Sequence, residues 1–441
     1  MKKNVLTRIC LTCIAAMFLM NVLAQKSPSL KSYQNADFCK LDTSFKTIYP
    51  FVDYSKNNFK FYTDNSPNFE YLYHQIDSMI RFQDRKLNFY HIGGSHVQAD
   101  IYTNDIRMFL QTNYQHLNGE RGMVFPFNLA GTNNPGNYRF TSPSKFRGNR
   151  VVTNKDKSID FGLLGASLIS SDSIVQFYFH HKNTISKPGF CKIRIFHNKG
   201  ELPYDLNFGL DEILITSIDK NEKIGYTEVE FSDKLDSLDL QFSRKIDQIT
   251  ELEIYGFQFL NEDPGIAYNS IGINGAGLYS YLNCIRFEEQ LTTYPPDFFA
   301  FAVGTNDGNV PYDKFDPQVY KNNLEQLMKI ALRTNPNCAL LLTVPNDAYY
   351  RKKALNRNIA REREVIIELA QKYKMAVWDF YGIMGELGSS KTWQKNGLMQ
   401  ADLVHFSSPG YHFKGDLFND SFLKFMEQMQ LTNSTDFSTG K

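Results

Sequence analysis

Residues 87–96, LNFYHIGGSH, decide the fold. The first six form a short apolar run that is typical of a buried strand, and the two glycines that follow allow a tight turn. On both sides apolar residues recur at three- and four-residue spacing, which predicts helices over Pro67–Lys86 and from Ala99 to about Asn113. A strand, a glycine turn and a helix in this order predict one half of a parallel βαβ unit.

The pattern changes between about Tyr138 and Leu260, where helical periodicity is almost absent. Short alternating runs such as Cys191–Phe196 and Glu251–Phe259 are separated by clusters of turn-forming residues. Many short strands at fairly even spacing predict an antiparallel β-sandwich, and roughly 120 residues are enough for a domain of its own. We therefore assign residues 138–262 to an inserted β-sandwich.

Strands and helices alternate again after Pro264, which implies a parallel sheet covered by helices on both faces. We predict an α/β domain formed by residues 67–137 and 263–430, with an N-terminal extension at 25–66 and a frayed polar tail at 431–441. The predicted elements of the second part are strands Asp297–Val303, Cys338–Val344 and Met375–Phe380 and helices Pro317–Arg333, Tyr350–Tyr373 and Tyr411 to about Gln430.

The first 24 residues have the layout of a cleavable secretory signal. Basic Lys2, Lys3 and Arg8 precede a largely apolar stretch, Ile9–Leu23, and the small residue Ala24 follows it. The stretch is shorter than the roughly 20 residues that a membrane span needs, and no later segment is long and apolar enough to cross a bilayer. We expect export to the periplasm or the extracellular space, without an integral membrane span.

The charge balance and the cysteines exclude some classes of protein. The chain has 48 Lys and Arg residues against 47 Asp and Glu, so it lacks the basic excess that binding to nucleic acid requires. The cysteines beyond the predicted signal are widely spaced without a CxxC pair, which argues against a zinc site. One or two disulfides and buried free thiols are both open for them: Cys39, Cys191, Cys284 and Cys338. We expect no metal and no organic cofactor.

A serine lies where the first predicted strand turns into a helix. Ser95 is therefore placed at the carboxyl edge of the sheet, where open α/β folds have their sites. The same Gly-x-Ser pattern occurs at Gly165–Ser167 and Gly388–Ser390, but only Ser95 lies between a predicted strand and a predicted helix. The start of that helix offers free backbone N–H groups to a developing negative charge.

A base for this serine is expected near the C-terminus. Of the nine histidines, only His405 has an aspartate three residues before it, Asp402. In a loop, this spacing lets the carboxylate hydrogen-bond one imidazole nitrogen while the other faces the nucleophile. A surface Asp–His pair without a catalytic role is the alternative that the spacing alone allows.

Two further segments supply hydrogen-bond donors at the same edge. Asn306 lies in the segment GTND, residues 304–307, which follows the strand Phe299–Val303 directly. The segment IGINGAG, residues 271–277, brings backbone N–H groups out through flexible glycines. A serine N–H, a glycine N–H and an asparagine side chain together would form an oxyanion hole of three donors.

Taken in chain order, with serine in the first block, glycine in the second, asparagine in the third and histidine in the last, these four pieces resemble the SGNH (GDSL-type) hydrolase family over roughly residues 85–135 and 265–425. The resemblance implies a doubly wound, flavodoxin-like α/β fold with Ser95 as nucleophile, His405 as general base and Asp402 as its orienting carboxylate. The first block of the family usually reads Gly-Asp-Ser, whereas Gly94 stands in the middle here, and this departure predicts reduced activity.

The resemblance also assigns an oxyanion hole. Its donors would be the N–H groups of Ser95 and Gly275 and the side-chain amide of Asn306. Gly272 and Gly277 are the alternatives to Gly275, because the second block contains three glycines.

The insertion of a β-sandwich between the first and second blocks is similar to the layout of secreted peptidoglycan O-acetylesterases, whose insert is carbohydrate-binding-like. We therefore expect a secreted carboxylic ester hydrolase that removes small acyl groups, chiefly acetyl, from a carbohydrate polymer, with peptidoglycan favoured. Two alternatives are a non-catalytic carbohydrate-binding protein on a degenerate hydrolase fold and an acyltransferase that uses the same site.

Overall fold

The computed structural model describes residues 41–112, 117–156, 159–182, 188–209, 214–245 and 251–439. Numbered along the chain, the strands of its central sheet are β1 (Lys60–Phe61), β2 (Lys86–Gly93), β14 (Gly265–Gly272), β15 (Phe298–Ala302), β16 (Ala339–Val344) and β19 (Ala376–Asp379). They have the order β1-β19-β16-β15-β2-β14, in which only β1 is antiparallel to its neighbour. The parallel strands have the flavodoxin-like order 2-1-3-4-5, which confirms the predicted α/β fold.

Helices pack on this sheet in two groups. The helices are α1 (Ser44–Ile48), α2 (Pro67–Phe82), α3 (Ser95–Gln98), α4 (Tyr102–Thr112), α5 (Leu278–Leu282), α6 (Phe287–Leu291), α7 (Pro317–Thr334), α8 (Asn358–Tyr373), α9 (Phe380–Met384), α10 (Ser389–Lys395) and α11 (Ser408–Thr439). In one group α11 contacts α2 and α4, and in the other α7 contacts α5, α6 and α8.

Two helix boundaries differ from the predictions by more than five residues. The helix predicted from Tyr350 begins at Asn358, because β17 (Tyr349–Tyr350) and β18 (Ala354–Leu355) first form a short antiparallel pair. The tail that we predicted to be frayed from residue 431 continues the last helix as far as Thr439. No glycine or proline lies between residues 415 and 440 to end that helix.

The insert consists of two antiparallel sheets. Their strands are β3 (Gly122–Val124), β4 (Tyr138–Thr141), β5 (Arg147–Arg150), β6 (Ala166–Ser170), β7 (Ile174–His181), β8 (Phe190–His197), β9 (Tyr204–Phe208), β10 (Ile215–Asn221), β11 (Tyr226–Leu235), β12 (Ser237–Arg244) and β13 (Leu252–Leu260). One sheet has the order β10-β11-β8-β13-β6-β5 with β3 also paired to β13, and the other has the order β4-β7-β12-β9.

Aromatic side chains join the two sheets into a sandwich. The rings of Phe177 and Phe257 have centroids 5.3 Å apart, and those of Phe179 and Phe259 are 4.4 Å apart, with each pair bridging the sheets. All four side chains are buried. The high aromatic content of these strands therefore builds the core of the insert.

Two short strands lie outside the predicted bounds of the domains whose sheets they join. β3 precedes the predicted start of the insert at residue 138 yet pairs with β13 of the sandwich. β1 belongs to the segment assigned to the N-terminal extension yet pairs with β19 of the central sheet. Strands of two and three residues are too short to show a period, so only their tertiary partners define them.

A buried polar cluster lies in the first part of the α/β domain, and two of its residues, Arg121 and Asn137, directly precede strands β3 and β4 of the sandwich. Asp100 has a left-handed backbone (φ +46°), and its carboxylate lies 3.1 Å from a guanidinium nitrogen of Arg107 and 3.1 Å from one of Arg121. The side chain of Asn137 also donates to it (2.8 Å). Burial raises the pKa of Asp100, but the two guanidinium charges outweigh this effect and lower it to about 2.

The three cysteines in the described residues, Cys191, Cys284 and Cys338, are free thiols, and the last two are buried. Cys39 and the predicted signal sequence lie outside the described residues. Within the described ranges, none of the helices has the length and apolar character that a membrane crossing requires.

Candidate active site

Ser95 is the first residue of α3, directly after the turn at Gly93 and Gly94. Its N–H therefore has no acceptor within the helix and is available to a ligand. The turn depends on Gly93, because a β-carbon there would collide with the side chain of Val97 and lie 2.8 Å from the carbonyl oxygen of Ala302.

His405 and Asp402 lie beside Ser95, as the spacing of the sequence led us to expect. The Oγ atom of Ser95 is 2.8 Å from Nε2 of His405, and Nδ1 of the same ring is 2.7 Å from Oδ2 of Asp402. The other carboxylate oxygen accepts the backbone N–H groups of Val404 (3.0 Å) and His405 (2.9 Å). The carboxylate of Asp402 thus fixes both the loop around His405 and the orientation of the His405 imidazole.

The surroundings keep Asp402 ionised. Burial would raise the pKa of this carboxyl group, but hydrogen bonds from His405 and Val404 outweigh burial and hold the pKa below its usual range. The ammonium group of Lys352 also lies 3.1 Å from Oδ2. An ionised carboxylate at Nδ1 holds the proton on that nitrogen and leaves Nε2 free to accept one from Ser95.

Gly275 is the glycine of the second block whose N–H remains available. Its N–H donates to no acceptor in the described part of the chain, and its φ of +84° suits glycine. Gly272 belongs to β14 and packs against Gln98, whereas the N–H of Gly277 donates to the side chain of Ser280 (3.3 Å).

The amide of Asn306 is held at the same edge. Its Nδ2 atom donates one hydrogen to the carbonyl oxygen of Ala276 (2.9 Å), which leaves the second hydrogen for a ligand. A β-carbon on Gly94 would lie only 3.0 Å from this Nδ2 atom and 3.4 Å from the Ala276 oxygen. Glycine at position 94 therefore leaves room for Asn306 to approach the serine turn closely. Gly94 alone is no sign of a degenerate site.

Two neighbouring residues were not predicted from the sequence. Gln98 is buried, and its side-chain oxygen accepts the N–H of Asn274 (2.6 Å), which fixes the loop before Gly275. Val152, from the insert, lies 3.3 Å from the position that a β-carbon of Gly275 would occupy. Both contacts join segments that are more than a hundred residues apart, so no local pattern indicates them.

The structure also contains a second aspartate–histidine pair. Nδ1 of His412 lies 2.8 Å from Oδ2 of Asp105, and the histidine side chain is 56% exposed. Its partner is 307 residues away along the chain, which explains why spacing could not reveal it. No serine hydroxyl of the described residues is hydrogen-bonded to His412. Variants of this second pair are therefore suitable controls for variants of His405 and Asp402.

Within the described ranges, His, Cys, Asp and Glu side chains form no group of three or more that could hold a metal ion. The candidate site is the arrangement around Ser95. It combines a hydroxyl in contact with an imidazole, a carboxylate behind that imidazole, and two backbone N–H groups and one amide for a developing negative charge. Such a set can carry out nucleophilic acyl transfer.

Comparison with known proteins gives a family match for part of the chain and a similar fold for most of it. Residues 256–413 match the model of the GDSL-like lipase/acylhydrolase family, a range that contains Asn306, Asp402 and His405. A solved peptidoglycan O-acetylesterase has a similar fold, with a TM-score of 0.69 and 18% identity over 84% of this chain and 99% of that one. The family match confirms the predicted SGNH (GDSL-type) resemblance over residues 256–413, and the solved structure confirms the predicted fold.

Two further solved structures share smaller parts of the chain. A lipase/acylhydrolase from Enterococcus faecalis is 21% identical over 35% of this chain and 74% of that one, with a TM-score of 0.29. An acetylxylan esterase from Geobacillus stearothermophilus is 21% identical over 37% of this chain and 73% of that one, with a TM-score of 0.28. No curated protein sequence matches the chain.

The contact between Ser95 and His405 predicts selective reactivity of this serine. A fluorophosphonate probe should label Ser95, and His405→Gln should slow the labelling at least about 10²-fold because the base is lost. His412→Gln is the matched control, since it removes the histidine of the second pair. The measurement is the labelling rate followed by peptide mass spectrometry. Labelling of another serine, or equal rates in both variants, would contradict the assignment.

Proposed function

We propose that this chain, whose residues 256–413 match the GDSL-like lipase/acylhydrolase family, is a secreted serine esterase that removes acetyl or similarly small acyl groups from a carbohydrate polymer. The observation that carries the proposal is the continuous hydrogen-bond relay from Ser95 through His405 to Asp402, with contacts of 2.8 and 2.7 Å.

The chemistry follows from these contacts. Oγ of Ser95 attacks the ester carbonyl while Nε2 of His405 takes the hydroxyl proton, and Asp402 stabilises the imidazolium that forms. The oxyanion receives hydrogen bonds from Ser95 N–H, Gly275 N–H and the Asn306 amide. The imidazolium returns its proton to the leaving alcohol, and water then hydrolyses the acyl-enzyme with His405 again acting as base.

The insert supports a polymeric substrate because it forms a fixed wall beside the site. Val152 reaches the oxyanion loop at Gly275, and the buried apolar core runs without a break from β2 into both sheets of the sandwich. Tyr279, two residues after Gly277, is 67% exposed and offers an aromatic face to a sugar ring near the second block. Sugar units away from the ester can therefore contribute binding energy to placing the acyl group.

Peptidoglycan is the first choice of polymer, and an acetylated plant glycan is the second. The similar fold of a peptidoglycan O-acetylesterase, which extends over the insert as well as the α/β domain, supports the first choice. The secretory layout of residues 1–24 supports action in the periplasm or outside the cell, where such polymers occur.

The two alternative functions lead to different expectations for this site. A non-catalytic carbohydrate-binding protein would not need the contacts among Ser95, His405 and Asp402, which are intact here. An acyltransferase would use the same contacts and pass the acyl group to a sugar hydroxyl instead of water. Product analysis with an added saccharide acceptor separates transfer from hydrolysis.

Ester turnover tests the proposed mechanism. Ser95→Ala should reduce hydrolysis of p-nitrophenyl acetate at least about 10³-fold, because the nucleophile is lost while the oxyanion donors remain. Asp402→Asn should reduce it less than His405→Ala, since it removes orientation and charge but leaves the base. Asp105→Asn, in the second pair, is the control. Unchanged kcat in Ser95→Ala would refute the mechanism.

The position of Val152 predicts a difference between small and polymeric substrates. Val152→Trp should lower kcat/KM for acetate release from O-acetylated peptidoglycan at least about 10-fold, because the larger side chain narrows the space for the polymer beside the insert. It should change the turnover of p-nitrophenyl acetate by no more than about 3-fold, because this ester is small. Ile218→Trp, on an exposed position of β10, is the control. Equal losses on both substrates would mean that Val152 only supports the oxyanion loop. Unchanged turnover of both substrates would contradict the claim that the insert forms a wall of the substrate site.

A further inference from the structure

A buried carboxyl group lies beneath the loop that carries Asn306. Glu362 is on α8 and is fully buried, and both of its side-chain oxygens lack a hydrogen-bond partner among the described residues. No cation of the described residues lies within ion-pair distance of it. A charged carboxylate in such surroundings is costly, so the group must be uncharged or compensated.

The glycines of the loop pack directly on this carboxyl group. A β-carbon on Gly304 would lie 3.0 Å from Oε2 of Glu362 and 3.0 Å from the hydroxyl of Tyr320, and one on Gly308 would lie 2.8 Å from Oε1. Gly304 has a φ of +147°, which glycine accommodates. Because Gly304 and Gly308 flank Asn306 on either side, any movement of the carboxyl group reaches the oxyanion amide through the backbone.

One face of α8 holds the loop at several points. Asn358 lies one turn before Glu362, and its side chain donates to the carbonyl oxygens of Gly308 (2.9 Å) and Val310 (2.9 Å). From the opposite side, the carboxylate of Asp307 accepts the N–H of Leu278 (3.0 Å) at the start of α5. The loop is therefore clamped between two helices, and Glu362 occupies the space beneath it.

The groups that face Glu362 favour its neutral form. Burial raises its pKa well above the usual range, and the nearby Asp307 carboxyl adds to the rise. The N–H of Gly308 opposes the rise, but it already donates to the carbonyl oxygen of Gly304 (2.8 Å). Tyr320, from α7, donates its own proton to the carbonyl oxygen of Val303 (3.3 Å).

We propose that Glu362 is a positioning residue, a protonated carboxyl that fixes loop 304–308 so that the Asn306 amide points at the oxyanion. It touches neither substrate nor reacting atoms and acts only through Asn306. The inference rests on the proposed function, since it assigns a support for the oxyanion hole of that same site.

Turnover of p-nitrophenyl acetate separates this role from a merely structural one. Glu362→Ala should lower kcat at least about 10-fold with KM within about 2-fold, and Glu362→Gln, which keeps shape without charge, should restore most of that loss. Combining Glu362→Ala with Asn306→Ala should cost little more than Asn306→Ala alone, because both act through one amide. Glu364→Ala, exposed on the same helix, is the control. Independent, multiplicative losses, or normal kcat in a folded Glu362→Ala protein, would overturn the inference.

Thermal unfolding gives a second readout that does not depend on ester turnover. With a folded pKa above the unfolded value of about 4.5, Glu362 lowers stability progressively as pH rises from that value, because only the unfolded chain ionises. The Tm of Glu362→Gln should therefore exceed that of the wild type increasingly between pH 4.5 and 8. A constant difference across this range would contradict a neutral Glu362. An inactive wild type with the predicted Tm shift would refute the proposed function and leave the buried neutral carboxyl standing.

Discussion

The parallel register of three neighbouring strands is the constraint on which the site depends. Gly93 of β2 is paired with both Gly272 of β14 and Ala302 of β15, so the three strands end at one level. Their loops carry Ser95, Gly275 and Asn306, and parallel pairing brings these loops to the same edge. β2 and β15 flank the topological switch point of the sheet, where the chain leaves room between helices of opposite faces for a ligand.

Direct hydrogen bonds between these loops then set the site. The N–H of Ile273 donates to the carbonyl oxygen of Gly93 (3.1 Å), and the hydroxyl of Tyr281 donates to the same oxygen (2.7 Å). The side-chain amide of Asn306 donates to the carbonyl oxygen of Ala276 (2.9 Å), and the side chain of Asn346 donates to the carbonyl oxygen of Val404 beside His405 (3.3 Å). Donors that are already oriented before substrate binds need no reorganisation as charge develops.

The sequence could predict those parts of the site whose signal is local. The strand, turn and helix around Ser95, the three-residue spacing of Asp402 and His405, and the polar segment after β15 are each readable within a few residues. The edge strand β1, the strand β3, the contact of Val152 with Gly275 and the buried Glu362 depend on partners far along the chain. Their sequences carry no period or spacing that distinguishes them, so only packing reveals them. Gly94 is a case between these two. The sequence shows that glycine replaces the aspartate of the Gly-Asp-Ser block, but only the structure shows how Gly94 fits beside Asn306.

The central claim is that three donors from three loops receive one oxyanion, and the structure of a covalent phosphonate adduct tests it most directly. In a crystal of the protein inhibited at Ser95, a phosphoryl oxygen should lie about 2.7–3.1 Å from the N–H groups of Ser95 and Gly275 and from Nδ2 of Asn306. His405 should remain within hydrogen-bond distance of the serine Oγ. A phosphoryl oxygen that points to solvent, or that is bound by Gly277 with Asn306 turned away, would contradict this arrangement.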